Sequence, residues 1–356
     1  MKVLITGGAG FLGQHLVAAL QDRGDTVRVF DRPSRSTERL SNDGVAVWLG
    51  DIQERSSLAA PMADVDAVVH LAALSNSWSP MADYHAANVA GTENVCRAAL
   101  AEGVGRVVHM SSWTVYGMGT RRPAAEDTPL TPLQEPYSVS KVLGDRLVRR
   151  MIAEDNLPAV IIRPDTIFGP GDHVHIGRMA DRLRAGRSII VGSGRNTMPF
   201  VYVTDVVQGL LLALDRQEAV GQAYNIANDQ PLTQQELLYA IAEEVGVRPP
   251  RIRVPYSALY AAASLAEQAA LLTHSRRKPF ITRLGVGIFG SDNRHSIDKA
   301  RRQLGYSPAV PVREGIRRSA DWYRRDQMSR EEAGTHRQQM TAATGSQRLS
   351  MHEFRP

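Results

Sequence analysis

Short apolar runs alternate with segments of helical periodicity through the first half of the chain. The runs are apolar at consecutive positions rather than at every second one, which indicates strands buried on both faces. Alternating strands and helices predict a doubly wound parallel sheet with right-handed crossovers, an α/β fold. The predicted strands are Lys2–Thr6, Thr26–Asp31, Val45–Leu49, Ala67–Leu71, Arg106–Met110 and Ala159–Arg163, and the predicted helices are Phe11–Arg23, Ser56–Met62, Met81–Glu102 and Tyr137–Glu154.

The pattern changes after Arg163, where a turn cluster, Gly169-Pro170-Gly171-Asp172, introduces shorter elements. We expect residues 1–165 to form a cofactor-binding domain and residues 166–326 a smaller, interleaved substrate-binding domain. One or two strands of the second domain should return to the sheet. Residues 327–356 have almost no aliphatic side chains, which predicts a polar, mobile tail. The predicted elements here are strands Phe200–Val203 and Ala223–Ile226 and helices Gln234–Val245, Ser257–Leu272 and Val312–Arg325.

Composition narrows the class of protein. Hydrophobic residues make up 43% and charged residues 22% of the 356 positions, which excludes a collagen-like or wholly disordered chain. Cys96 is the single cysteine, so no intrachain disulfide forms and a reducing, cytoplasmic location is expected. The net charge of +5 is small for this length and does not call for a nucleic-acid partner. The longest apolar stretch, Pro255 to Thr273, contains Glu267, which favours an amphipathic helix over an integral membrane span.

A glycine-rich loop joins the first predicted strand to the first predicted helix. Gly7 permits a tight turn, Gly10 lets the backbone approach a pyrophosphate, and Gly13 allows close packing of helix and strand. The helix that begins at Phe11 and Leu12 offers free N–H groups to phosphate oxygens. An ordinary glycine-rich turn is the alternative, but the strand–loop–helix context favours dinucleotide binding.

Acidic residues at two strand ends favour NAD over NADP. Asp31 lies 18 residues after Gly13, where a carboxylate accepts hydrogen bonds from the adenosine ribose and repels a 2′-phosphate. Arg32 weakens this preference, because an arginine can bind that phosphate. Asp51, followed by Ile52, is placed to reach the adenine, although a helix cap is an equal alternative for Asp51.

A serine, a tyrosine and a lysine are candidates for the chemistry. Tyr137 and Lys141 are four residues apart and share one face of a helix. A free phenol has a pKa near 10, and a neighbouring ammonium is expected to move that pKa toward the working range. Ser112 follows a strand at the carboxyl edge of the sheet, where such sheets bind ligands. Asn88, on the preceding helix, is expected to hold a backbone bend or a water molecule.

These motifs together resemble the extended short-chain dehydrogenases/reductases, which have a Rossmann sheet. The resemblance covers residues 1 to about 326. It implies that Ser112 is the catalytic serine, that Tyr137 is the acid/base, and that Lys141 is its partner and also holds the nicotinamide ribose. The motifs are Thr6-Gly7-Gly8-Ala9-Gly10-Phe11-Leu12-Gly13, Asp31, Gly50-Asp51, His70-Leu71-Ala72-Ala73, Asn88-Val89-Ala90-Gly91-Thr92, Ser111-Ser112-Trp113-Thr114-Val115-Tyr116-Gly117, Tyr137–Lys141 and Arg163-Pro164.

The resemblance also implies contacts to the nicotinamide and to the substrate. Pro164 and its neighbour Ile167 are expected at the nicotinamide, and the short run after the fourth strand is expected along the cofactor. The residues of that run are Leu71, Ala72 and Ala73, and the substrate-binding candidates are Ser75, Trp113, Thr114 and Asp165.

Two sites in the sequence separate the branches of the family. Sugar-nucleotide 4,6-dehydratases typically carry Thr-Asp-Glu at the positions where this chain has Ser112-Trp113-Thr114. This chain therefore lacks the two carboxylates that those enzymes use for elimination. Nucleotide-sugar epimerases typically carry Asn where this chain has Asp165, whose charge would repel a diphosphate. The remaining motifs are similar to the 3β-hydroxysteroid dehydrogenase-like branch, which implies reversible oxidation of a secondary alcohol in a small-molecule substrate. The alternatives are a nucleotide-sugar epimerase with tightly bound NAD and a non-catalytic dinucleotide-binding protein.

Two further expectations concern metals and assembly. Asp172, His173 and His175 stand close in sequence, but zinc needs three or four converging ligands and no other residue is paired with them. No metal site is therefore expected. Related enzymes are often dimers through the helices corresponding to Met81–Glu102 and Tyr137–Glu154, so the resemblance implies a homodimer.

Overall fold

A seven-stranded parallel sheet is the centre of the protein. The computed structural model describes residues 1–75, 78–120, 122–273, 275 and 277–328 of the chain. The sheet has the order β10-β6-β5-β4-β1-β2-β3, and every neighbouring pair is parallel. The strands are β1 (Lys2–Thr6), β2 (Thr26–Asp31), β3 (Ala46–Leu49), β4 (Ala67–His70), β5 (Arg106–Met110), β6 (Ala159–Pro164), β7 (Thr166–Phe168), β8 (Ile190–Val191), β9 (Phe200–Tyr202), β10 (Ala223–Ile226) and β11 (Arg253–Val254).

Helices cover both faces of this sheet, as the consecutive apolar positions predicted. Along β1, Val3 and Ile5 enter one buried cluster and Leu4 enters the cluster on the opposite face. The doubly wound α/β fold is therefore confirmed. The helices are α1 (Phe11–Asp22), α2 (Arg35–Asn42), α3 (Ala59–Met62), α4 (Met81–His85), α5 (Gly91–Ala101), α6 (Pro136–Glu154), α7 (Ile176–Arg184), α8 (Val203–Asp215), α9 (Gln234–Glu244), α10 (Tyr256–Leu272), α11 (Arg283–Gly290), α12 (Asp298–Leu304) and α13 (312–328).

The strand order creates one switch point. β1 pairs with β2 on one side and with β4 on the other, so the chain crosses over β1 between β3 and β4. Loops that leave the carboxyl ends of β1 and β4 consequently run in opposite directions and open a crevice between them. Open α/β sheets bind ligands in this crevice.

All strands predicted in the first half are present, with ends that differ by at most one residue. The helix predicted over Met81–Glu102 is present from Met81 to Ala101, and its unpredicted feature is a π-helical turn at Ala86–Ala90 between α4 and α5. The helix predicted at Ser56–Met62 is divided into a 3-10 turn, Arg55–Ser57, and the short α3. The unpredicted α2 buries only Thr37 and Leu40, so it has no apolar periodicity to detect.

The second half builds a smaller layer beside the sheet. It holds two short parallel pairs, β7 with β9 and β8 with β11, and a separate buried cluster that includes Phe168 and Phe200. One of its strands, β10, returns to the edge of the large sheet. The boundary at residue 165 stays a prediction.

Two predictions concern the end of the chain and membranes. The predicted tail, 327–356, falls outside the described residues except for 327–328, which continue α13. Among the residues that are described, none of the helices is long and apolar enough to cross a membrane.

Candidate active site

A cavity of about 2150 Å³ lies at the carboxyl edge of the sheet, over the switch point. Pockets for single small ligands are typically about 300–1,000 Å³, so this one has room for two molecules side by side. The structure brings all the predicted site residues to its wall except Asn88. The lining residues that had been predicted are Gly7, Gly10, Phe11, Leu12, Gly13, Asp31, Arg32, Asp51, Ile52, Leu71, Ala72, Ala73, Ser75, Ser112, Trp113, Thr114, Tyr137, Lys141, Pro164, Asp165 and Ile167.

Glycine is required by close backbone approach at two points of the loop. Gly7 has a φ of +75°, and a Cβ there would lie 2.6 Å from the backbone nitrogen of Ala72. A Cβ on Gly13 would lie 2.6 Å from the carbonyl oxygens of both Gly7 and Gly8. Helix α1 begins at Phe11 with no side chain capping it, so its first N–H groups face the cavity unpaired by a cap. This geometry fits the pyrophosphate of a dinucleotide.

The carboxylate of Asp31 is fixed against the glycine loop. One oxygen accepts a hydrogen bond from the backbone N–H of Ala9 at 3.0 Å, and the other accepts from the N–H of Arg32 at 2.8 Å. The carboxylate is therefore held at the end of β2, in the position where a ribose would meet it. Arg32 is exposed at the rim of the cavity.

Asp51 does not cap a helix, which removes its alternative interpretation. Its Oδ1 accepts a hydrogen bond from the N–H of Gln53 at 3.0 Å, and the 3-10 turn that follows is flanked by Glu54 instead. Ile52 is buried against Gly91, and its carbonyl accepts from Asn94 at 3.0 Å. These contacts present Asp51 to the cavity at the outer end of the crevice.

Helix α6 presents Tyr137 in its first turn. Pro136 occupies the start of the helix, and the Glu135 carboxylate accepts hydrogen bonds from the N–H groups of Tyr137 and Ser138 at 3.1 and 2.5 Å. The Ser138 hydroxyl donates to the carbonyl of Thr114 at 2.8 Å, which ties the helix to the loop after β5. Sequence reasoning missed Glu135, although a proline at the start of a helix is a recognised signal.

The pKa of the Tyr137 hydroxyl differs from the expected one. Its ring is partly exposed to the cavity, but burial of the hydroxyl raises the pKa of Tyr137 to about 12, and a hydrogen bond with the Ser112 side chain opposes this rise. The lowering of this pKa that was expected from Lys141 is therefore wrong. Ser112 is itself held in place, because its Oγ accepts from the N–H and the hydroxyl of Thr114 at 3.2 and 3.0 Å.

Lys141 lies one helical turn beyond the tyrosine and is 6% exposed. Its Nζ donates to the carbonyl of Met110 at 2.9 Å and lies 6.0 Å from the centre of the Tyr137 ring. Burial lowers the pKa of Lys141 to about 8, and the nearby charge of Asp145 opposes this fall. The ammonium is therefore aimed at the end of β5, next to Ser112.

The Asn88 side chain forms hydrogen bonds with the backbone and does not line the cavity. It lies in the π-helical turn, where its carboxamide accepts from the N–H of Leu74 at 2.7 Å and donates to the carbonyl of Leu74 at 3.0 Å. It also donates to the Ser140 hydroxyl at 2.9 Å. The side chain joins the loop after β4 to α6, which accords with the expected role of holding a backbone bend.

A buried ion pair behind the site was missed by sequence reasoning. Asp145 and Arg163 are joined by two hydrogen bonds of 2.7 and 2.8 Å, and both side chains are fully buried. Ser111 donates to the same carboxylate at 2.8 Å, and Arg163 donates to the Tyr116 hydroxyl at 2.7 Å. The available signal was the spacing of Asp145, which is four residues beyond Lys141 and so shares its helix face.

The His–Asp loop folds as a helix start instead of gathering ligands. The Asp172 carboxylate accepts from the backbone N–H groups of Val174, His175 and Ile176 at 2.9, 2.9 and 3.0 Å, and α7 begins directly afterwards. The His173 ring packs edge-on against Trp322. Within the described part of the chain, no group of three or more His, Cys, Asp or Glu side chains is arranged to hold a metal ion.

Comparisons with known proteins agree with this geometry. Residues 3–227 match the model of the NAD dependent epimerase/dehydratase family. A 2-alkyl-3-oxoalkanoate reductase from Stenotrophomonas maltophilia (strain K279a) is 35% identical over 334 residues, covering 89% of this chain and 98% of that protein. A 3 beta-hydroxysteroid dehydrogenase/Delta 5-->4-isomerase from Mycobacterium tuberculosis (strain ATCC 25618 / H37Rv) is 31% identical over 336 residues, covering 90% of each chain.

A solved structure extends the likeness to three dimensions. DesIV, a dTDP-glucose 4,6-dehydratase from Streptomyces venezuelae with NAD and TYD bound, has a TM-score of 0.74 and 29% identity. The match covers 92% of this chain and 98% of that one. The protein described here is thus an enzyme that belongs to the NAD dependent epimerase/dehydratase family, an extended short-chain dehydrogenase/reductase similar to the 3β-hydroxysteroid dehydrogenase-like branch.

Proposed function

We propose that this enzyme interconverts a secondary alcohol and a ketone in a small-molecule substrate through Ser112, Tyr137 and Lys141. One observation carries the proposal: these three side chains line the same cavity as the glycine loop and Asp31. A substrate placed beside a cofactor in that loop would contact the Tyr137 hydroxyl as a general acid, the Ser112 hydroxyl as an orienting group and the Lys141 ammonium as a cation.

The chain's own residues fit NAD. The N–H groups at the start of α1 would hold the pyrophosphate, and Asp31 would accept from the ribose hydroxyls while repelling a 2′-phosphate. Asp51 would reach the adenine, and Pro164 and Ile167 would lie at the nicotinamide. When bound, the reduced cofactor supplies a hydride to the carbonyl carbon.

The protein residues manage the proton in this scheme. With a pKa of about 12, the Tyr137 hydroxyl keeps its proton at neutral pH and can donate it to the oxygen of a ketone as that oxygen becomes an alkoxide. Ser112 would hold the same oxygen in place. The Lys141 ammonium would bind the nicotinamide ribose and favour the phenolate that remains. In the direction of oxidation, Tyr137 would accept the hydroxyl proton.

Asp165 favours this reaction over epimerisation of a nucleotide sugar. Its carboxylate lines the cavity and would face the diphosphate of such a substrate, which it repels. A panel of 3-oxo acids and esters and hydroxysteroids, followed by NADH absorbance, would detect the alcohol–ketone reaction, and chromatography of dTDP-sugars would detect epimerisation, which consumes no net NADH. Turnover confined to the sugar nucleotides would favour the epimerase.

Replacement of Tyr137 tests the mechanism. Tyr137→Phe removes one hydroxyl, so kcat should fall by about a thousandfold, within the range for loss of a general acid, while NADH affinity stays within about threefold. Tyr239→Phe is the matched control, since Tyr239 is exposed on α9 and distant in sequence from the site. Full turnover by Tyr137→Phe on a confirmed substrate would contradict the mechanism.

Two finer features belong to the same proposal. We infer a homodimer formed through α4, α5 and α6, which light scattering would contradict by returning a particle of 39.0 kDa. We also infer a cytoplasmic, reducing location, which the buried free thiol of Cys96 supports.

A further inference from the structure

A carboxylate with a free oxygen lies in the substrate half of the cavity. Asp165 directly follows Pro164 at the end of β6, and only 6% of its surface is exposed. Its Oδ1 lies 2.5 Å from Nδ1 of His295, whereas Oδ2 accepts no hydrogen bond from any residue that the structure describes. Because Asp165 lines the cavity, this second oxygen is available to whatever molecule occupies it.

His295 fixes the orientation of that carboxylate. An ionised carboxylate only accepts hydrogen bonds, so Nδ1 of the imidazole is the donor. The ring is stacked on Tyr116 at 5.7 Å and lies 5.3 Å from Trp113, with its side chain 2% exposed. Its backbone is held as well, because the residues on either side of His295 bond to Ala124. Asp165 therefore cannot turn both oxygens away from the cavity without losing this partner.

The same wall carries the candidate catalytic serine. Trp113 follows Ser112 directly, and its Nε1 donates to the Thr166 hydroxyl at 3.2 Å, beside Asp165. A substrate oxygen held by Ser112 would therefore place a neighbouring substituent of the substrate near Asp165. His295 joins this wall from a position 130 residues away in the chain.

A carboxylate oxygen that is open to the cavity and has no protein partner can accept a hydrogen bond from a substrate donor, and bonds to a charged acceptor are the stronger ones. We propose that Asp165, held by His295, is a specificity-determining residue that accepts a hydrogen bond from a hydroxyl or N–H group adjacent to the reacting carbon. The same charge disfavours a substrate with a carboxylate or phosphate at that point. This inference rests on the proposed alcohol–ketone chemistry for its placement of the substrate.

Binding to a catalytically blocked complex tests the inference directly. The probes are 1-hydroxy-2-octanone against 2-octanone, and 2-oxooctanoate against its methyl ester, titrated calorimetrically into Tyr137→Phe saturated with NADH. With Asp165 present, the hydroxyketone should bind at least about tenfold tighter than the plain ketone, as expected for a hydrogen bond to a charged group. The ester should bind about tenfold tighter than the acid.

In the same Tyr137→Phe background, Asp165→Ala should reduce the affinity ratio of hydroxyketone to plain ketone to below about threefold. Asp165→Asn should likewise reduce the affinity ratio of ester to acid to below about threefold. Asp64→Asn, an exposed carboxylate paired with Lys2, is the charge control and should leave both ratios unchanged. Ratios that stay constant while Asp165 variants lose affinity for all four probes would show a purely structural role and overturn the inference.

Turnover assays with Tyr137 intact keep the two proposals separate. If the ratios change as expected but no ketone or alcohol is converted, the proposed function fails and the role of Asp165 stands. If ketones are converted but Asp165 replacement leaves both ratios unchanged, the function stands and the role of Asp165 is wrong.

Discussion

The two sides of the cavity are built in different ways. The cofactor side is shaped by backbone: Gly7 and Gly13 leave no space for a Cβ, and the start of α1 exposes its own N–H groups. The substrate side is shaped by buried side chains, among them the Asp145–Arg163 pair and His295. The glycines that permit the close backbone approach lie in one short segment, Gly7 to Gly13, whereas the buried side-chain contacts join distant segments.

Because of this difference, a single substitution is expected to affect ligand binding on the cofactor side and folding stability on the substrate side. On the cofactor side, one added methyl group disturbs the ligand site because the backbone that it meets must shift. On the substrate side, loss of one charge leaves its partner buried and unpaired, which destabilises the whole fold. Three measurements separate these two kinds of dependence.

The largest effect is expected from Asp145→Asn. The substitution keeps the shape of the side chain but leaves the fully buried Arg163 guanidinium without its counter-charge. The free energy of unfolding, measured in urea, should fall by about 3–5 kcal/mol. Adding Arg163→Met to this variant should recover part of the loss, since the buried charge is then removed.

Glu93→Gln is the matched control for that experiment. Glu93 pairs with Arg97 at 2.8 Å on α5, with both side chains more than a third exposed. Exposed pairs of this kind contribute little, so its unfolding curve should coincide with that of the wild type. An equal loss of stability in both variants would contradict the distinction between the two sides.

The sequence predicted the cofactor side almost completely. Consecutive apolar residues mark the strands, and the spacing of Gly7, Gly10 and Gly13 marks the loop, because both are local consequences of covalent geometry and packing. The same holds for the i, i+4 relation of Tyr137 and Lys141 on α6.

The substrate side was predicted less well because its contacts are not local. His295 meets Asp165 across 130 residues, and Arg163 meets Asp145 across 18, so no short pattern encodes either pair. The π-helical turn at Ala86–Ala90, between α4 and α5, was missed for another reason. The helical periodicity of apolar residues is judged over several turns, so one extra residue in a single turn does not change it visibly. The pKa of Tyr137 was misjudged because sequence spacing does not show burial, which raises that pKa.

A smaller effect is expected from Gly13→Ala. Its Cβ would meet backbone oxygens on two sides at 2.6 Å, so the loop must shift away from the phosphate position. NADH should bind about a hundredfold more weakly by fluorescence titration, while the protein remains folded with a loss of about 1–3 kcal/mol.

Gly24→Ala provides the comparison within the same strand–helix unit. Gly24 has a φ of +84° but no atom within 4 Å of a built Cβ, so alanine there strains the backbone without touching the loop. Its NADH affinity should equal that of the wild type. If both variants lost affinity equally, general destabilisation rather than loop geometry would be the cause.

The smallest effect is expected in the pH dependence of kcat/KM for NADH, through Lys141. Lys141 has a pKa lowered to about 8 by burial, so its ammonium is lost as pH rises through that value. Because the cation is proposed to hold the nicotinamide ribose, kcat/KM for NADH should be flat below pH 8 and fall about tenfold per pH unit above it, as this parameter reports the ionisations of the free enzyme.

Lys141→Arg identifies the group responsible for that fall. The guanidinium stays charged throughout this range, so the variant should lose the break near pH 8 even if its activity is lower overall. The other titratable groups near Lys141 cannot imitate this result: the pKa of Tyr137 is about 12, that of His109 is about 3, and those of His70 and Asp145 lie below their usual ranges. A break that persists in Lys141→Arg would therefore assign the ionisation to the ligand or to a residue outside this face of α6.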